Sequence, residues 1–240
     1  MFFQEGPKFS SPYRTDEILK GLLKFFSNSS QFSKIDQDLE AFSKRIEREI
    51  ESLGLQAESS PPVHIPYDPW GRRIDEVKTS KAWSKLKKIS AEEKLISLGY
   101  ERDNEGGHRL HQFAKLYLFH PSSAFYSCPL AMTDGAAKLI EVHGDRELKD
   151  GPFKSLTSNC PEKFWTSGQW MTERAGGSDV GNSETIARKE DGMWKLYGVK
   201  WFTSAVDADM AMTLARIEDE KGKSAGGSRG LSLFYVLLRD

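Results

Sequence analysis

Two short segments of the chain combine residue types that suit the binding of a flat, charged cofactor. The first, residues 169–180, reads Gln-Trp-Met-Thr-Glu-Arg-Ala-Gly-Gly-Ser-Asp-Val. Adjacent glycines let backbone N–H groups approach an anion closely, and Thr172 and Ser178 add hydroxyl groups. The segment therefore indicates either a pyrophosphate-binding turn or a plain turn capped by serine and aspartate, and spacing alone does not separate the two.

The second segment, residues 198–204, places two aromatic rings beside two hydroxyl groups where a strand is predicted to end. Its sequence is Gly-Val-Lys-Trp-Phe-Thr-Ser. An aromatic ring against a planar ligand, with a hydroxyl donor at the ligand's edge, would suit a flavin or a base. Ordinary strand packing followed by a polar turn is the alternative interpretation of the same residues.

Other reactive residue types do not form a recognisable site. His108 and His111 lie three residues apart, but no third ligand has a metal-like spacing, so no zinc site is predicted. Cys128 and Cys160 form no Cys-x-x-Cys motif and predict free thiols. Residues 176–181 fit neither the nucleophile-elbow pattern nor the dinucleotide-binding glycine pattern.

The elements that precede these segments follow a helical pattern. From residue 33 to 53, apolar residues recur every three or four positions and predict an amphipathic helix. Ser33 with Asp36 is predicted to cap its start, and Gly54 to end it. Trp70 is expected to bury its ring from within a proline-rich turn. Further helices are predicted at residues 80–88, 91–98, 110–119 and 130–142.

After about residue 165 the pattern alternates, as in β-strands. Asp191-Gly192 between two alternating runs predicts a hairpin, because both turn positions need positive φ. Strands are also predicted at residues 210–217 and 231–238, joined by an exposed glycine-rich loop. The predicted fold class is α+β, with an all-helical N-terminal domain followed by an antiparallel β-domain. The predicted divisions are residues 1–60 (an extension with the amphipathic helix), 61–160 (the helical domain) and 161–240 (the β-domain).

The composition of this 240-residue chain is that of an ordinary globular protein. Its 34 Lys and Arg against 35 Asp and Glu give a net charge of −1, so nucleic acid is not predicted as a partner. No apolar run approaches the roughly 18–20 residues that a membrane span needs. No targeting signal is recognised at the N-terminus, which favours a cytoplasmic location.

Together, the order and separation of the two segments resemble the acyl-CoA dehydrogenase family, over roughly residues 60–240. In that family a Met/Val-Thr-Glu-x-x-x-Gly-Ser-Asp motif opens the middle β-domain, and a Gly-x-Lys-x-aromatic-x-Ser/Thr strand follows after a hairpin. The matching residues are Met171, Thr172, Glu173, Gly177, Ser178 and Asp179, then Gly198, Lys200, Phe202 and Ser204. Residues 67–75 (Tyr-Asp-Pro-Trp-Gly-Arg-Arg-Ile-Asp) and 131–136 (Ala-Met-Thr-Asp-Gly-Ala) look most like the AidB-like branch.

The resemblance implies FAD as cofactor and α,β-dehydrogenation of a fatty acyl-CoA thioester as reaction. Met171 and Thr172 would contact the edge of the flavin ring, Gly177 and Ser178 the pyrophosphate. Phe202, Thr203 and Ser204 would line the other side of the ring. Family members are often mitochondrial, so the mitochondrial matrix is a second expected location. A homo-oligomer is expected for a full-length parent.

The resemblance also implies that this chain lacks a catalytic base. The family's catalytic glutamate follows the β-domain, so it is expected beyond Asp240, and the chain alone is expected to be inactive. Glu173 belongs to the flavin motif and is not assigned as the base. Two other functions stay open: a non-catalytic regulatory protein that binds flavin or fatty acyl groups, and a DNA-binding protein that protects against alkylation. The near-neutral charge argues against the DNA-binding alternative.

Overall fold

The computed structural model describes residues 2–6, 9–103, 106–219 and 221–238, and the chain divides into two units. The first unit, Met1–Ser127 with Thr157–Phe164, consists mainly of helices. The second unit, Cys128–Leu156 with Trp165–Asp240, combines helices with a β-sheet. The predicted domain boundaries near residues 60 and 160 stay a prediction, because the two units alternate along the chain.

The helical unit contains a long helix that buries the predicted apolar stripe. Its helices are α1 (Glu17–Phe26), α2 (Ser29–Arg45), α3 (Glu51–Glu58), α4 (Lys81–Glu92) and α5 (His108–Phe119). A π-helical turn, Ile46–Ile50, connects α2 to α3, so helical structure continues from residue 29 to residue 58. The stripe side chains are all buried: Ile35, Leu39, Phe42, Ile46, Ile50 and Leu53. Burial of this stripe is what holds the helix to the unit.

Both predicted ends of the long helix are wrong. Asn28, rather than Ser33, caps α2: its side chain accepts a hydrogen bond from Gln31 N, and the Gln31 side chain accepts one from Asn28 N. This reciprocal pair satisfies two backbone donors one turn earlier than expected. Gly54 lies inside α3, where the missing side chain lets the helix approach the backbone of Ser122.

Alanine at Gly54 is expected to destabilise the helical unit by about 1–3 kcal/mol, although alanine is the better helix former. An added Cβ would lie 2.3 Å from the Ser122 backbone oxygen, so α3 would have to shift. Gly21 of α1 is the matched control, because no described atom lies within 4 Å of its ideal Cβ. Urea unfolding followed by circular dichroism should show a lower midpoint for Gly54→Ala and an equal or higher one for Gly21→Ala. A midpoint for Gly54→Ala at or above that of the wild type would contradict the prediction.

The first unit is not all-helical, which corrects the predicted fold class in one respect. Strands β1 (Val63–Tyr67) and β2 (Arg73–Lys78) pair antiparallel where the sequence predicts a turn. The expected burial of Trp70 is also wrong, since the residue lies between these strands and is 89% exposed. Three or more strands, or packing against a helix, are usually needed to stabilise such a hairpin, so periodicity alone does not predict it.

The predicted helix at residues 91–98 is a further error. Ser90, directly before the predicted start, lies within α4, where its hydroxyl donates to the Leu86 carbonyl at 2.7 Å. Lys94 then adopts φ +55°, which interrupts helical geometry. A short 3₁₀ turn follows at Ser97–Tyr100.

The second unit contains the sheet that carries both predicted cofactor-binding segments, residues 169–180 and 198–204. Its elements are α6 (Ser127–His143), α7 (Arg146–Asp150), α8 (Pro152–Leu156), β3 (Ser167–Trp170), β4 (Ile186–Glu190), β5 (Met193–Tyr197), β6 (Met210–Ile217) and β7 (Leu231–Leu237). The β4–β5 turn at Asp191 and Gly192 has φ +51° and +81°, as the hairpin prediction requires. A helical region followed by a sheet domain is therefore confirmed.

The sheet itself is mixed rather than antiparallel. Strand β6 pairs antiparallel with β7 along its length, and β4 pairs antiparallel with β5. The other edge of β6 pairs in parallel with β3 at Met210–Thr213 and then with β4 at Arg216 and Ile217. The chain thus leaves this edge after β3 and returns to it, in the same direction, at β4. The loop between β3 and β4 contains most of the first predicted cofactor-binding segment, residues 169–180.

Strand β6 is buried almost throughout, which explains its nearly continuous apolar sequence. Among the described residues, no helix combines the length and the apolar character needed to cross a bilayer.

Candidate functional site

The two segments singled out by residue type leave the sheet beside each other. The glycine loop, residues 171–185, connects β3 to β4, and the aromatic loop, residues 198–205, follows β5. Trp201 N donates to the Thr172 carbonyl at 2.9 Å. Trp170 Nε1 donates to the Ser204 carbonyl, also at 2.9 Å, across a separation of 34 residues. These two hydrogen bonds bring the predicted segments together.

A buried carboxylate joins the two loops from within. Glu173 is 4% exposed, and Lys200 Nζ donates to its Oε1 at 2.7 Å. Thr185 donates to the same oxygen through its backbone N (3.2 Å) and its Oγ1 (2.5 Å), while Glu184 N donates to Oε2 at 2.6 Å. Burial raises the pKa of Glu173, but these donors, first of all Lys200, lower it to about 2.

This bonding decides what Glu173 does chemically. A carboxyl group with a pKa of about 2 is ionised at neutral pH, and its oxygens are already occupied by four hydrogen bonds. A general base needs a pKa nearer the working pH and a free oxygen within reach of the substrate. Glu173 is therefore a fixed structural anion.

The glycine loop turns tightly at its glycine pair. Glu173 N donates to the Gly176 carbonyl at 3.0 Å, and Gly176 N donates back to the Glu173 carbonyl at 3.1 Å. A Cβ at Gly176 would lie 2.2 Å from the Asp179 carbonyl oxygen, so this position requires glycine. Gly177 lies beside Thr172, whose Cγ2 would be 3.1 Å from an added Cβ.

All the predicted contact residues lie on these two loops, and each is exposed or half-buried: Met171, Thr172, Gly177, Ser178, Phe202, Thr203 and Ser204. Phe202 is 88% exposed and has φ +56°, an uncommon backbone conformation for a large aromatic residue. Hydroxyl groups, an exposed glycine backbone and an open aromatic ring are the groups that a flavin nucleotide would need. The residues present thus fit FAD.

The sequence prediction missed Arg216, which fastens the glycine loop from the other side. The side chain of Arg216 is buried at the end of β6, and its guanidinium donates to the carbonyls of Ser183 (2.7 Å) and Gly181. It also donates to the carbonyls of Ala225 (2.6 Å) and Gly227 (2.8 Å) in the loop between β6 and β7. A lone arginine in an apolar strand was the available signal, because a buried cation must have partners.

Family comparison agrees with this arrangement. The adaptive response protein AidB N-terminal domain matches residues 8–159. The acyl-CoA dehydrogenase middle domain matches residues 168–240. The chain belongs to the acyl-CoA dehydrogenase family. Its N-terminal match places this acyl-CoA dehydrogenase homologue in the AidB-like branch, which confirms the predicted resemblance.

Individual acyl-CoA dehydrogenase relatives are substantially longer than this chain. Acyl-CoA dehydrogenase family member 11 of Caenorhabditis elegans is 47% identical over 245 residues, covering 100% of this chain and 40% of the relative. AidB of Escherichia coli (strain K12) is 32% identical over 198 residues, covering 77% of this chain and 34% of AidB. The crystal structure of Caenorhabditis elegans ACDH-11 in complex with C11-CoA matches with a TM-score of 0.96 at 46% identity, covering 100% of this chain and 41% of that one.

Proposed function

We propose that this chain binds FAD for the α,β-dehydrogenation of fatty acyl-CoA thioesters. The observation that carries the proposal is the meeting of the glycine loop and the aromatic loop, through two hydrogen bonds and the Glu173–Lys200 pair. Family membership supports flavin chemistry. The complex of ACDH-11 with C11-CoA supports an acyl-CoA as the ligand class.

The residues of this chain would bind and orient the cofactor. Gly177 would bring its backbone N–H close to the pyrophosphate, because it has no side chain to hold the anion away, and Ser178 would add a hydroxyl donor. Met171 and Thr172 would contact the edge of the flavin ring. Residues 202–204 would line the other side of the ring, where Phe202 would exclude water. When bound, FAD supplies the hydride acceptor.

The proposal assigns no residue of this chain as the base that removes the α-proton. Glu173 accepts four hydrogen bonds, and its pKa of about 2 makes it too weak a base. The proposed contribution of this chain is binding and orientation.

Substitution of Gly177 tests the proposed pyrophosphate contact. We expect Gly177→Val to weaken FAD binding by about 100-fold or more, because the added side chain would press on Thr172, 3.1 Å from its Cβ, and keep the pyrophosphate away from the backbone. Ser178→Ala removes one hydroxyl donor and should weaken binding about tenfold. Titration of the purified chain with FAD, followed by quenching of flavin fluorescence, measures both effects.

Gly226→Val is the matched control for this experiment. Gly226 lies in the exposed loop between β6 and β7, and no described atom lies within 4 Å of its ideal Cβ. Its substitution should leave FAD affinity and the circular dichroism spectrum unchanged. Wild-type affinity in Gly177→Val combined with Ser178→Ala would overturn the assignment of this turn. Failure of the wild-type chain to bind FAD would overturn the proposed function.

A further inference from the structure

We infer that Glu173 and Lys200 are positioning residues for the cofactor, and that their buried pair couples the glycine loop to the aromatic loop. In this arrangement each loop holds its binding conformation only when the other is in place. The inference rests on the proposed function, because FAD is the ligand that both loops would contact.

Glu173 holds the two ends of the glycine loop together. Strands β3 and β4 pair with one edge of β6, so the loop must leave that edge and return to it. Glu173 lies just after β3, whereas Glu184 and Thr185 lie just before β4. The carboxylate accepts hydrogen bonds from the backbone N of both later residues. One side chain therefore closes the base of the loop that carries Gly177 and Ser178.

Lys200 and Trp201 attach the aromatic loop to the glycine loop. Lys200 Nζ donates to Glu173 Oε1 at 2.7 Å, and the next residue, Trp201, donates its backbone N to Thr172 at 2.9 Å. Residues 200 and 201 are thus held against residues 172 and 173 by both a side chain and the backbone. Phe202 follows directly, so the placement of its exposed ring depends on this attachment.

Glu173 and Lys200 neutralise each other's charge. The side chains of Glu173 and Lys200 are 4% and 11% exposed, so each charge is withdrawn from water and compensated by the other. Neutralising one partner leaves the other as a buried, uncompensated ion and displaces the backbone it holds. Neutralising both removes that imbalance. The two substitutions should therefore be strongly non-additive.

A double-mutant cycle on FAD binding tests the coupling. Glu173→Gln and Lys200→Met are each expected to raise the Kd for FAD by about 10- to 100-fold. The double variant should be no weaker than the worse single variant. Lys200→Arg retains the cation and should recover most of the affinity. All titrations are performed at a temperature well below the thermal unfolding midpoint of each variant. Amide hydrogen exchange of the ligand-free chain is measured in parallel.

Hydrogen exchange separates a positioning role from a purely stabilising one. If the pair positions the loops, Glu173→Gln should accelerate exchange in the aromatic loop and Lys200→Met in the glycine loop, whereas exchange in α6 should stay unchanged. Glu184→Gln is the matched control, because its side chain is exposed and only its backbone N contacts Glu173. It should bind FAD within about twofold of the wild type.

The outcomes distinguish this inference from the proposed function. If the wild-type chain binds FAD and Glu173→Gln and Lys200→Met bind it with the same Kd, the coupling alone is overturned. Additive losses in the double variant, or faster exchange confined to the substituted loop, would overturn it as well. Failure of the wild-type chain to bind FAD would overturn the proposed function and the inference together.

Discussion

Arg216→Met should destabilise the sheet unit by about 2–5 kcal/mol, because it leaves buried carbonyl groups without a hydrogen-bond donor. Methionine would replace much of the apolar stem of Arg216 but none of its donors. The carbonyls of Gly181 and Ser183 would lose their partner inside the protein, where both residues are buried. Ala225 and Gly227 are exposed, so their carbonyls can bond to water and contribute less.

Guanidinium unfolding followed by tryptophan fluorescence measures this loss. Arg216→Lys should recover only part of it, because an ammonium group cannot present the planar fork that reaches both loops. Arg188→Met is the control of the same residue type, since the Arg188 side chain is 47% exposed and its described ion-pair partner is the carboxylate of Glu218, which is 14% exposed. Its substitution should shift the unfolding midpoint much less than that of Arg216, because a solvent-exposed ion pair contributes little to stability. Similar unfolding midpoints for Arg216→Met and Arg188→Met would contradict the proposal that the hydrogen bonds of Arg216 to both loops stabilise the unit.

Lys115→Met should destabilise the helical unit by about 2–4 kcal/mol. The side chain of Lys115 is 4% exposed, and its Nζ lies 3.0 Å from carboxylate oxygens of both Asp38 and Glu93. It also lies 4.7 Å from the centre of the Phe42 ring. The substitution would remove the cation between two carboxylates, of which Glu93 keeps an ion pair with Arg45 at 2.7 Å. Since Asp38 is 41% exposed, water would screen part of the resulting repulsion.

The loss caused by Lys115→Met should depend on pH in a definite direction. Burial raises the pKa of Asp38, but the hydrogen bond from His111 and the charge of Lys115 lower it to about 2. A lowered pKa in the folded chain contributes stability that is present above the unfolded value of about 4 and is lost as pH falls through about 2. The difference between wild type and variant should therefore be largest above about pH 4 and shrink towards pH 2.

Urea midpoints measured across this pH range provide the test. Lys44→Met is the control, because Lys44 is 48% exposed and pairs with Glu40 on the surface of α2 at 3.5 Å. It should change stability by less than about 0.5 kcal/mol at every pH. A loss of stability in Lys115→Met that grows as the pH falls would contradict the predicted direction of the pH dependence.

Local patterns predicted the elements whose conformation is signalled by residues close together in the sequence. The apolar stripe from Ile35 to Leu53 identified the long helix, because a three-to-four-residue period leaves one face to be buried. Asp191-Gly192 identified the β4–β5 hairpin, because few residue pairs accept two positive φ angles. Patterns of this kind need no knowledge of distant parts of the chain.

Elements governed by distant contacts could not be predicted in this way. Gly54 has the residue type of a helix end, yet it lies within α3 because Ser122, far along the chain, approaches it. The predicted antiparallel sheet is mixed because β3 and β4 share an edge of β6. Strand patterns indicate that residues are extended, but they do not indicate which edge a strand joins.

In the candidate site, too, some features follow from short sequence segments and others depend on distant contacts. The sequence by itself determined which residue types the two loops present, because paired glycines, hydroxyl groups and aromatic rings are properties of short segments. Only the tertiary structure decided that Glu173 is a fixed anion and that Arg216 is a clamp. The donors to Glu173 come from positions 11 to 27 residues away, and Arg216 bonds to carbonyls in two separate loops. Their roles arise from burial and pairing, which exist only once the sheet has brought those loops together.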